Sequence, residues 1–506
     1  MSDSFKMEGS IDEGRLEQSS QNRANEDHSE KDSPQTGEQV FLETQHETIA
    51  TVSAEGTTTP EEVEKFKEEL KSTVVAVNDK PPVLVIGATG SVGAYLTKGL
   101  RDRGHPVYAM ARSFYEEGRK SPTARMHRLF QEIDSHYPGP NSELGVHFLY
   151  GDLEKENLGL IPEDIETLKN LGIKDIYNTA GSVDFDEDER EPTINVNYHG
   201  TRRLINLIYQ IASPERPHYF HLSTAYVFGK YRQKNGEPFV FHELDSDISS
   251  VGFQPNNPYD LSKHGAEGLL RTDPDISATI FRPSIIGGSS EDYKTLAMKG
   301  AYGFFKSFDF LKNWLEREFK RKPTLKEQFE EYNIRFEGDT LYLPIFIPGE
   351  GSATVNIVPV DWVVKSIIEL SGIERARRRT TDGRLPTFHL THDNPMTYEE
   401  IVKIGLETLG IKDVRIDEFE SMDFLLRYHK LRGQIDVEGL TPQEQVLGKI
   451  LDGIVDYLDY LRGEPIFDKE FTKRVAPNLT PPPPVDAEYI QRMLEYAKNH
   501  NFKPVS

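Results

Sequence analysis

Cysteine is absent from this 506-residue chain. Its absence excludes disulfide bonds, zinc sites with thiolate ligands and covalent catalysis by a thiol, and we predict no metal site. Long apolar runs are also lacking, since no stretch reaches the roughly 18 apolar residues that a transmembrane helix needs. The first residues, MSDSFKMEGSIDEG, lack the basic start and apolar stretch of a signal peptide. These absences fit a cytoplasmic protein.

Positive charge is scarce, because 59 lysine and arginine residues stand against 83 aspartate and glutamate residues, for a net charge of −24. We therefore expect no nonspecific binding to nucleic acids and no docking on anionic membranes. A chain of this length suits roughly two to four domains with a sizeable core. The sequence leaves the oligomeric state open.

Large apolar side chains are few in residues 1–58, which are rich in Glu, Asp, Ser, Gln and Thr. Such a segment buries too little apolar surface to offset the entropy of the chain, so we predict a disordered acidic tail. A simple solvated tail is the favoured interpretation, and a segment that binds a partner is the alternative. Residues 59–80 are expected to form a lead-in helix, because Thr59 can cap it and Pro60 suits a first helical turn.

Short apolar runs alternate with segments of helical periodicity from Pro82 to about Gly288. The predicted strands are PVLVIGA, PVYAMAR, VHFLYGD, KDIYNTAG, HYFHLSTA and ATIFRPSIIG. Helical patterns such as SVGAYLTKGLRDRG and HGTRRLINLIYQIA lie between them. Strands that alternate with helices form a parallel sheet covered on both faces. The predicted fold class is therefore α/β, a Rossmann-type doubly wound parallel sheet.

The run VLVIGATGSVG joins the first predicted strand to a helix through Gly87, Gly90 and Gly93. The first glycine permits a tight turn, the second lets the backbone approach a pyrophosphate, and the third lets the helix pack closely on the sheet. The N-terminus of the helix offers free N–H groups and partial positive charge to phosphates. A dinucleotide is therefore predicted to bind here. The predicted contacts are Gly87, Thr89, Gly90, Ser91, Val92 and Gly93.

The end of the second predicted strand indicates which dinucleotide is bound. An acidic residue there would bind the ribose 2′-hydroxyl of NAD, whereas an arginine suits the 2′-phosphate of NADP. The segment YAMARSF carries Arg112 and Ser113 and no acidic residue. We therefore predict NADP(H), with a solvent-facing arginine at a strand end as the alternative.

The domain organisation follows from these patterns. Residues 81–290 are predicted to form the NADP-binding Rossmann domain, which returns at 351–375 with the strand and helix of NIVPVDWVVKSIIEL. Residues 291–350 and 376–506 are predicted to form a mostly helical substrate-binding region. The aromatic segment near Tyr302 could line an acyl pocket, although such a stripe more often belongs to a core.

The segment NPYDLSKHG places Tyr259 and Lys263 four residues apart on a predicted helix, so that both side chains lie on one face. A neighbouring ammonium lowers the pKa of a tyrosine, which ordinarily lies near 10, and makes proton exchange easier. An ordinary pair on a helix surface has the same spacing. Ser223 and Thr224, at the end of a predicted strand, can donate a hydroxyl to a carbonyl oxygen, or can simply cap the strand end.

These residues, in this order after a nucleotide-binding turn, resemble the extended short-chain dehydrogenase/reductase superfamily. The resemblance rests on GATGSVG, NTAG, NVNYHGT, STAYVFG, YDLSK and FRPSIIGG. It implies that Thr224 orients the substrate carbonyl and that Tyr259 acts as the acid/base. It also implies that Lys263 binds the nicotinamide ribose and lowers the tyrosine pKa, and that Asn197 supports the site.

The same resemblance implies further cofactor contacts. Asp152 and Leu153, in GDL, would lie beside the adenine. Ala180 and Gly181 would line the path of the nicotinamide. Pro283 and Ser284, after the sixth strand, would lie beside the nicotinamide ring.

Within this superfamily, VHFLYGDLEKENLGL and NIVPVDWVVKSII resemble the fatty acyl reductases and thioester reductase domains. The resemblance implies transfer of hydride from NADPH to an acyl thioester carried by CoA or a carrier protein, to give an aldehyde or an alcohol. Without cysteine, reduction has to proceed by direct hydride transfer, with Thr224 and Tyr259 stabilising the oxyanion.

Three other functions remain open at this point. The chain could be a ketone reductase or a nucleotide-sugar epimerase or dehydratase of the same superfamily, because these enzymes share the same catalytic residues. It could also be an NADP-sensing binding protein without catalysis, although the complete set of Thr224, Tyr259 and Lys263 argues against that interpretation.

Overall fold

The structure is a computed structural model of the chain. It describes residues 80–112, 122–134, 136–137, 145–230, 239–244, 253–417, 440–454, 457, 460 and 463–505. The predicted tail at 1–58 and nearly all of the predicted lead-in helix at 59–80 lie outside these residues.

The strands of the described residues are mostly short. In chain order they are β1 (Val83–Ile86), β2 (Val107–Ala111), β3 (Val146–Tyr150), β4 (Asp175–Asn178), β5 (His218–Leu222), β6 (Val240–Phe241), β7 (Ala278–Pro283), β8 (Ile285–Gly287), β9 (Arg335–Glu337), β10 (Thr340–Tyr342), β11 (Phe346–Ile347), β12 (Thr354–Val355), β13 (Ile357–Pro359), β14 (Thr387–Leu390), β15 (Met396–Thr397), β16 (Ile411–Lys412), β17 (Arg415–Ile416) and β18 (Ile466–Phe467).

The helices alternate with the strands in the first half of the chain and dominate the second half. They are α1 (Ser91–Arg101), α2 (Pro122–Ile133), α3 (Pro162–Asn170), α4 (Arg190–Ile194), α5 (Gly200–Gln210), α6 (Pro258–Thr272), α7 (Ala301–Arg321), α8 (Pro323–Glu330), α9 (Val360–Ser371), α10 (Tyr398–Leu409), α11 (Pro442–Ile454), α12 (Glu470–Val475) and α13 (Ala487–Asn499). No helix of the described residues is long and apolar enough to cross a membrane.

The main sheet confirms the predicted doubly wound parallel fold. Within the described residues its strands lie in the order β14-β7-β5-β4-β1-β2-β3, and every neighbouring pair is parallel. The four residues of β1 are buried on both faces, as expected for an inner strand covered by helices. The strand order reverses beside β1, and ligands of such sheets bind at that point, at the carboxyl ends of the strands.

The predicted strand ATIFRPSIIG divides into two elements. β7 pairs with β5 and β14 in the main sheet, whereas β8 pairs in parallel with β13 in a separate two-stranded sheet. Ser284 lies between the two strands, and its backbone N–H donates to the Leu390 carbonyl at 3.2 Å. The chain therefore leaves the main sheet at this residue, beside the carboxyl ends of the strands.

The edge strand β14 departs from the predicted division of the chain. Residues 387–390 were expected within a mostly helical substrate-binding region, yet they extend the main sheet next to β7. All four residues of β14 are buried, because α12 packs against the strand through Phe471 and Phe388. The sheet therefore draws strands from both sides of the segment 291–350.

The second half of the chain has its own apolar core, which α7 organises. Phe305 and Phe308 of this helix are almost fully buried, together with Leu406 of α10 and Ile490 of α13. Phe310 is 59% exposed on the opposite face of α7. The aromatic stripe is therefore amphipathic, with most of its rings in the core.

A buried ion pair joins α6 to β7 of the main sheet. Glu267 accepts two hydrogen bonds from Arg282, of 2.9 Å from Nε and 2.6 Å from Nη2, and a third of 3.0 Å from Arg271. The Arg282 side chain is 1% exposed. These guanidinium groups hold the pKa of Glu267 well below its usual range, although burial opposes them.

We expect Glu267→Gln to lower the free energy of unfolding by about 3–5 kcal/mol, because it leaves the Arg282 guanidinium buried without a counter-charge. Urea unfolding followed by circular dichroism measures this change. The control is Glu374→Gln, which removes an ion pair with Arg378 whose two side chains are each 74% exposed. We expect the control to change stability by no more than about 1 kcal/mol. Equal effects of the two substitutions would show that the buried pair contributes no special stability.

Candidate active site

The glycine turn follows β1 at the carboxyl edge of the sheet. Gly87 has a φ of +79°, and a Cβ at this position would lie 2.6 Å from the backbone nitrogen of Ala180. A Cβ at Gly93 would overlap the Gly87 carbonyl oxygen and lie 2.8 Å from Oγ1 of Thr179. The Gly90 N–H closes the turn by donating to the Gly87 carbonyl at 2.8 Å. Glycine is therefore required at the first and third positions by close packing, and at the first also by its backbone conformation.

A cavity of about 780 Å³ lies at the carboxyl ends of the strands and extends from the glycine turn towards the helical half of the chain. It brings together most of the residues that the sequence predicted for the site. Those that line it are Gly87, Thr89, Gly90, Ser91, Val92, Arg112, Asp152, Leu153, Ala180, Gly181, Thr224, Tyr259, Lys263, Pro283 and Ser284. Gly93 and Asn197 do not line it, and Ser113 lies outside the described residues.

The predicted catalytic tyrosine and lysine lie in the first two turns of α6. Asn257 caps this helix by accepting from the Asp260 N–H at 2.9 Å, and Pro258 occupies the first helical position. Lys263 is 5% exposed, and its Nζ donates to the Leu222 carbonyl at the end of β5, at 2.8 Å. The same Nζ lies 5.9 Å from the centre of the Tyr259 ring. The lysine therefore connects α6 to the sheet.

Thr224 and Ser223 follow β5 and point to different partners. Thr224 lies beside the Tyr259 side chain and acts to lower its pKa, and the Thr224 Oγ1 accepts from the Tyr226 N–H at 3.2 Å. The Ser223 hydroxyl lies beside Glu267 and contributes to the lowered pKa of that carboxyl. Of the two hydroxyls, the one of Thr224 is therefore the neighbour of Tyr259.

Burial reverses the predicted direction of the tyrosine pKa. The pKa of Tyr259 lies above its usual value because the side chain is buried and because the Asp260 carboxylate is near, while the hydrogen bond to Thr224 opposes this shift. The expected lowering by Lys263 does not occur. Burial also lowers the pKa of Lys263 to about 8, against the opposing effect of Glu267. At neutral pH the tyrosine is therefore a neutral phenol that can donate a proton.

Asn197 supports the site from behind the cavity. Its Nδ2 donates to the Ser182 carbonyl and to the Ser262 hydroxyl, both at 2.8 Å, and its Oδ1 accepts from the Ser182 N–H at 2.9 Å. A Cβ on Gly181 would lie 3.1 Å from this Oδ1 and 3.2 Å from the Lys263 Nζ. Asn197 therefore fixes the segment after β4 against α6.

The structure adds site residues that the sequence analysis missed. Arg125 of α2 lines the cavity near Arg112, and its Nε is buried without a hydrogen-bond partner among the described residues. Burial and the neighbouring charge of Arg112 lower the pKa of Arg125. Arg125 directly precedes the run MHRLF, in a segment that carries no motif, so only the fold indicates this residue.

The opposite end of the cavity is aromatic, and it too was largely missed. Phe185 lies 5.9 Å from Tyr259 and 5.5 Å from both Tyr457 and Tyr460, measured between ring centres. Tyr226 meets Tyr460 edge to face at 5.0 Å. We call Phe185, Tyr226, Tyr457 and Tyr460 the aromatic wall. Phe304 and Phe305 of the predicted aromatic stripe also line the cavity.

The residues of the cavity fit a nicotinamide dinucleotide. The glycine turn leaves a cradle that any side chain at Gly87 would close, and α1 begins at its rim with free N–H groups. The unpartnered Arg125 Nε and the neighbouring Arg112 supply positive charge at the end of β2. Within the described residues no group of three or more histidine, aspartate or glutamate side chains is arranged to hold a metal ion.

Comparison with known families gives one match that spans more than half of the chain. The family described as Male sterility protein, an NAD-binding family, matches residues 85–367. These residues run from the first strand of the main sheet to α9, and they include the glycine turn, Thr224, Tyr259 and Lys263.

Two curated proteins are similar over part of the chain. A Drosophila melanogaster protein named "Putative fatty acyl-CoA reductase" is 26% identical over 345 residues, which are 61% of this chain and 58% of that protein. A Caenorhabditis elegans protein named GDP-mannose 4,6 dehydratase 2 is 23% identical over 205 residues, which are 40% of this chain and 47% of that protein. The chain thus spans less than two thirds of either relative.

A solved structure shares the fold over most of the chain. The terminal R domain from the myxalamid PKS-NRPS biosynthetic pathway superposes with a TM-score of 0.58 and 18% identity, covering 85% of this chain and 93% of the domain. The superposition extends beyond the region matched by the family and includes much of the helical half.

We expect Gly93→Ala to weaken binding of the nicotinamide cofactor by at least about tenfold, because the added Cβ displaces the Gly87 carbonyl and opens the turn. Titration of the cofactor, followed by its fluorescence, measures the affinity. The matched control is Gly268→Ala on α6, where no atom lies within 4 Å of the added Cβ. Unchanged affinity in a folded Gly93→Ala protein would contradict the assignment of this turn.

Proposed function

The chain belongs to the family described as Male sterility protein, and we propose that this NAD(P)-dependent oxidoreductase reduces acyl thioesters with NADPH. The observation that carries the proposal is that Thr224, Tyr259 and Lys263 line the same cavity, which begins at the glycine turn. The named reductase relative and the fold shared with an R domain support the thioester as substrate.

Reduction of a thioester to an aldehyde adds one hydride and one proton and breaks the bond between the acyl carbon and sulfur. The hydride is the chemistry that bound NADPH supplies. In our proposal the Thr224 and Tyr259 hydroxyls donate hydrogen bonds to the thioester carbonyl oxygen, where negative charge develops. Donors fixed by the protein before the reaction stabilise this charge without reorganising.

Tyr259 is the proposed proton donor. Its raised pKa keeps the phenol protonated at neutral pH, so that a proton is available when the carbonyl oxygen becomes basic. The Lys263 ammonium, with a pKa near 8, lies within reach of the phenol ring and of the nicotinamide ribose in the proposed complex. The thiol then leaves with one proton when the tetrahedral adduct collapses, and the free aldehyde remains.

A second hydride and a second proton would convert the aldehyde into an alcohol at the same residues. The chain contains no cysteine, so the acyl group is never transferred to a thiol of the protein in this proposal. The acyl group arrives already activated, on CoA or on a carrier protein. In this proposal, early release of the aldehyde limits the reaction to one hydride. Retention of the aldehyde at the site allows transfer of the second.

NADPH is the proposed form of the cofactor because two arginines face the end of β2. Arg112 lies after this strand, with its Nη1 3.6 Å from the Glu154 carboxylate, and Arg125 approaches from α2. Two neighbouring guanidinium groups repel one another, and a 2′-phosphate between them would relieve the repulsion. The negative charge of the 2′-phosphate thus complements the two positive charges that the fold already holds close together.

The proposed acyl side of the cavity comes from residues 291–350 and 376–506. These segments contribute Phe304, Tyr398 and Ile401 among other apolar lining residues. They surround the end of the cavity that is furthest from the glycine turn. An acyl chain there would bury apolar surface against the rings, at roughly 25 cal/mol per Å².

We expect the purified protein to oxidise NADPH in the presence of an acyl-CoA and to release free CoA. Because the protein contains no cysteine, a thiol reagent detects the released CoA without any background from the protein. One thiol per NADPH indicates an aldehyde product, and one thiol per two NADPH indicates an alcohol. Tyr259→Phe should reduce both rates at least about 100-fold, with NADPH affinity unchanged within about twofold.

Tyr209→Phe is the matched control, because this tyrosine hydrogen bonds to Asp273 at 2.7 Å outside the cavity. Oxidation of NADPH by ketones without thiol release would favour the ketone reductases. Conversion of nucleotide sugars without net loss of NADPH would favour the relatives of the GDP-mannose dehydratase. NADPH binding without turnover of any carbonyl would favour a sensor.

We expect Arg125→Glu to weaken NADPH binding by about 10- to 100-fold and to leave NADH binding almost unchanged, since a charge-assisted hydrogen bond contributes about 1.5–3 kcal/mol. Arg112→Glu should act in the same direction. The fluorescence of each reduced dinucleotide measures its affinity. Arg103→Glu makes the same change of charge at an arginine that donates to the Gly99 carbonyl outside the cavity. If the ratio of NADPH to NADH affinity does not change, the arginines do not select the cofactor.

A further inference from the structure

A carboxyl group interrupts the apolar end of the cavity. Glu464 lines the same cavity as Tyr259, although about 200 residues separate the two in the chain. The Tyr226 hydroxyl donates to Oε1 of Glu464. Oε2 is buried and has no hydrogen-bond partner among the described residues. A buried oxygen without a partner loses its hydrogen bonds to water and forms none with the protein, which costs free energy. Nearly all buried polar atoms are hydrogen bonded, so this oxygen requires an explanation.

Glu464 is connected to the reacting end of the cavity through the aromatic wall. Tyr226, its partner, is two residues after Thr224 and donates its backbone N–H to the threonine Oγ1 at 3.2 Å. The ring of Tyr226 meets Tyr460, Tyr460 meets Phe185, and Phe185 meets Tyr259. A chain of aromatic contacts therefore links the Glu464 carboxyl to the proposed catalytic hydroxyls of Thr224 and Tyr259.

The contacts of the Glu464 carboxyl group also fix its orientation. Oε1 is held by Tyr226, and the backbone N–H of Asn356 faces the same carboxyl. With Oε1 engaged on one side, Oε2 is the atom left for a ligand. The hydrogen bond from Tyr226 opposes free rotation of the carboxyl group.

Burial raises the pKa of Glu464 to about 7, while the hydrogen bonds from Tyr226 and Asn356 oppose this shift. Both the neutral and the ionised form are therefore present at neutral pH. A hydroxyl group pairs with either form, because it donates to a carboxylate and accepts from a carboxylic acid. A ketone pairs only with the acid, and an ammonium pairs well only with the carboxylate.

We propose that Glu464 is a specificity-determining residue whose Oε2 binds a hydroxyl group on the acyl chain of the substrate, near the reacting carbonyl. The proposal rests on the proposed function, and it narrows the substrate from acyl thioesters in general to hydroxyacyl thioesters. The apolar rings around Glu464 then accept the carbon chain, and the carboxyl selects chains that carry a hydroxyl at the matching position.

Binding to a protein that cannot turn over its ligand tests this inference independently of the reaction. Calorimetric titrations use Tyr259→Phe saturated with NADPH, and compare an unsubstituted acyl-CoA with its 2-, 3- and 4-hydroxy derivatives of equal length. We expect the best-placed hydroxyl to bind about tenfold more tightly than the unsubstituted chain, the effect of one buried hydrogen bond.

Substitution of Glu464 in the same background identifies the residue responsible. Glu464→Leu should abolish the preference for the hydroxyacyl chain. Glu464→Gln should keep it within about threefold, because its amide oxygen still accepts from Tyr226 while its N–H₂ faces the ligand. If Glu464→Leu does not fold, Glu464→Gln still provides a folded variant in which the preference can be measured. Glu399→Leu, an exposed glutamate beside the cavity-lining Tyr398, is the control that should keep the full preference.

Several outcomes overturn the inference. Equal affinity for all the acyl-CoA ligands, or a hydroxyl preference that survives Glu464→Leu, would show that the carboxyl does not recognise the hydroxyl group of the substrate. Tighter binding of a 3-amino than of a 3-hydroxy derivative would assign the carboxyl to a cation. Failure of every thioester to bind would refute both proposals. A hydroxyl preference without thiol release would refute only the proposed reaction, and thiol release without a preference would refute only this inference.

Discussion

The close approach of two strand ends, at Gly87 and Ala180, is the constraint on which the site depends. Because no side chain separates these backbones, the glycine turn lies directly against the segment that follows β4. The next residue, Gly181, is equally close to Lys263 and Asn197. The glycine turn and α6 are thus joined through bare backbone, and a Cβ at either glycine would crowd its neighbours.

Burial, more than any neighbouring charge, sets the protonation states in this cavity. It raises the pKa of Tyr259, lowers that of Lys263 to about 8 and raises that of Glu464 to about 7. Each shift favours the uncharged form of its group. The exception is Glu267, which stays ionised because guanidinium groups surround it. The charged pair thus lies between α6 and β7, and in the three cavity-lining groups burial favours the uncharged form.

The sequence predicted the elements whose signals are local. Six strands and the glycine turn follow from patterns a few residues long, and the sheet that the structure forms agrees with these strands. The roles of Thr224, Tyr259 and Lys263 stay predictions. The division of one apolar run into β7 and β8 was not predicted, since a buried run looks the same on either side of a change of sheet. The direction of the Tyr259 pKa was wrong because burial cannot be read from a spacing of four residues.

Most of the aromatic end of the cavity escaped prediction for a related reason. Its wall combines Phe185, Tyr226 and Tyr460, and the carboxyl of Glu464 meets Tyr226 across 238 positions of the chain. Such a pair leaves no periodicity and no motif, because only the folded chain makes the two residues neighbours. Local patterns therefore identify the half of the site that handles a common cofactor. The half that we propose distinguishes one substrate from another is assembled from distant segments, and a buried oxygen left without a partner among the described residues is the feature by which we recognise it.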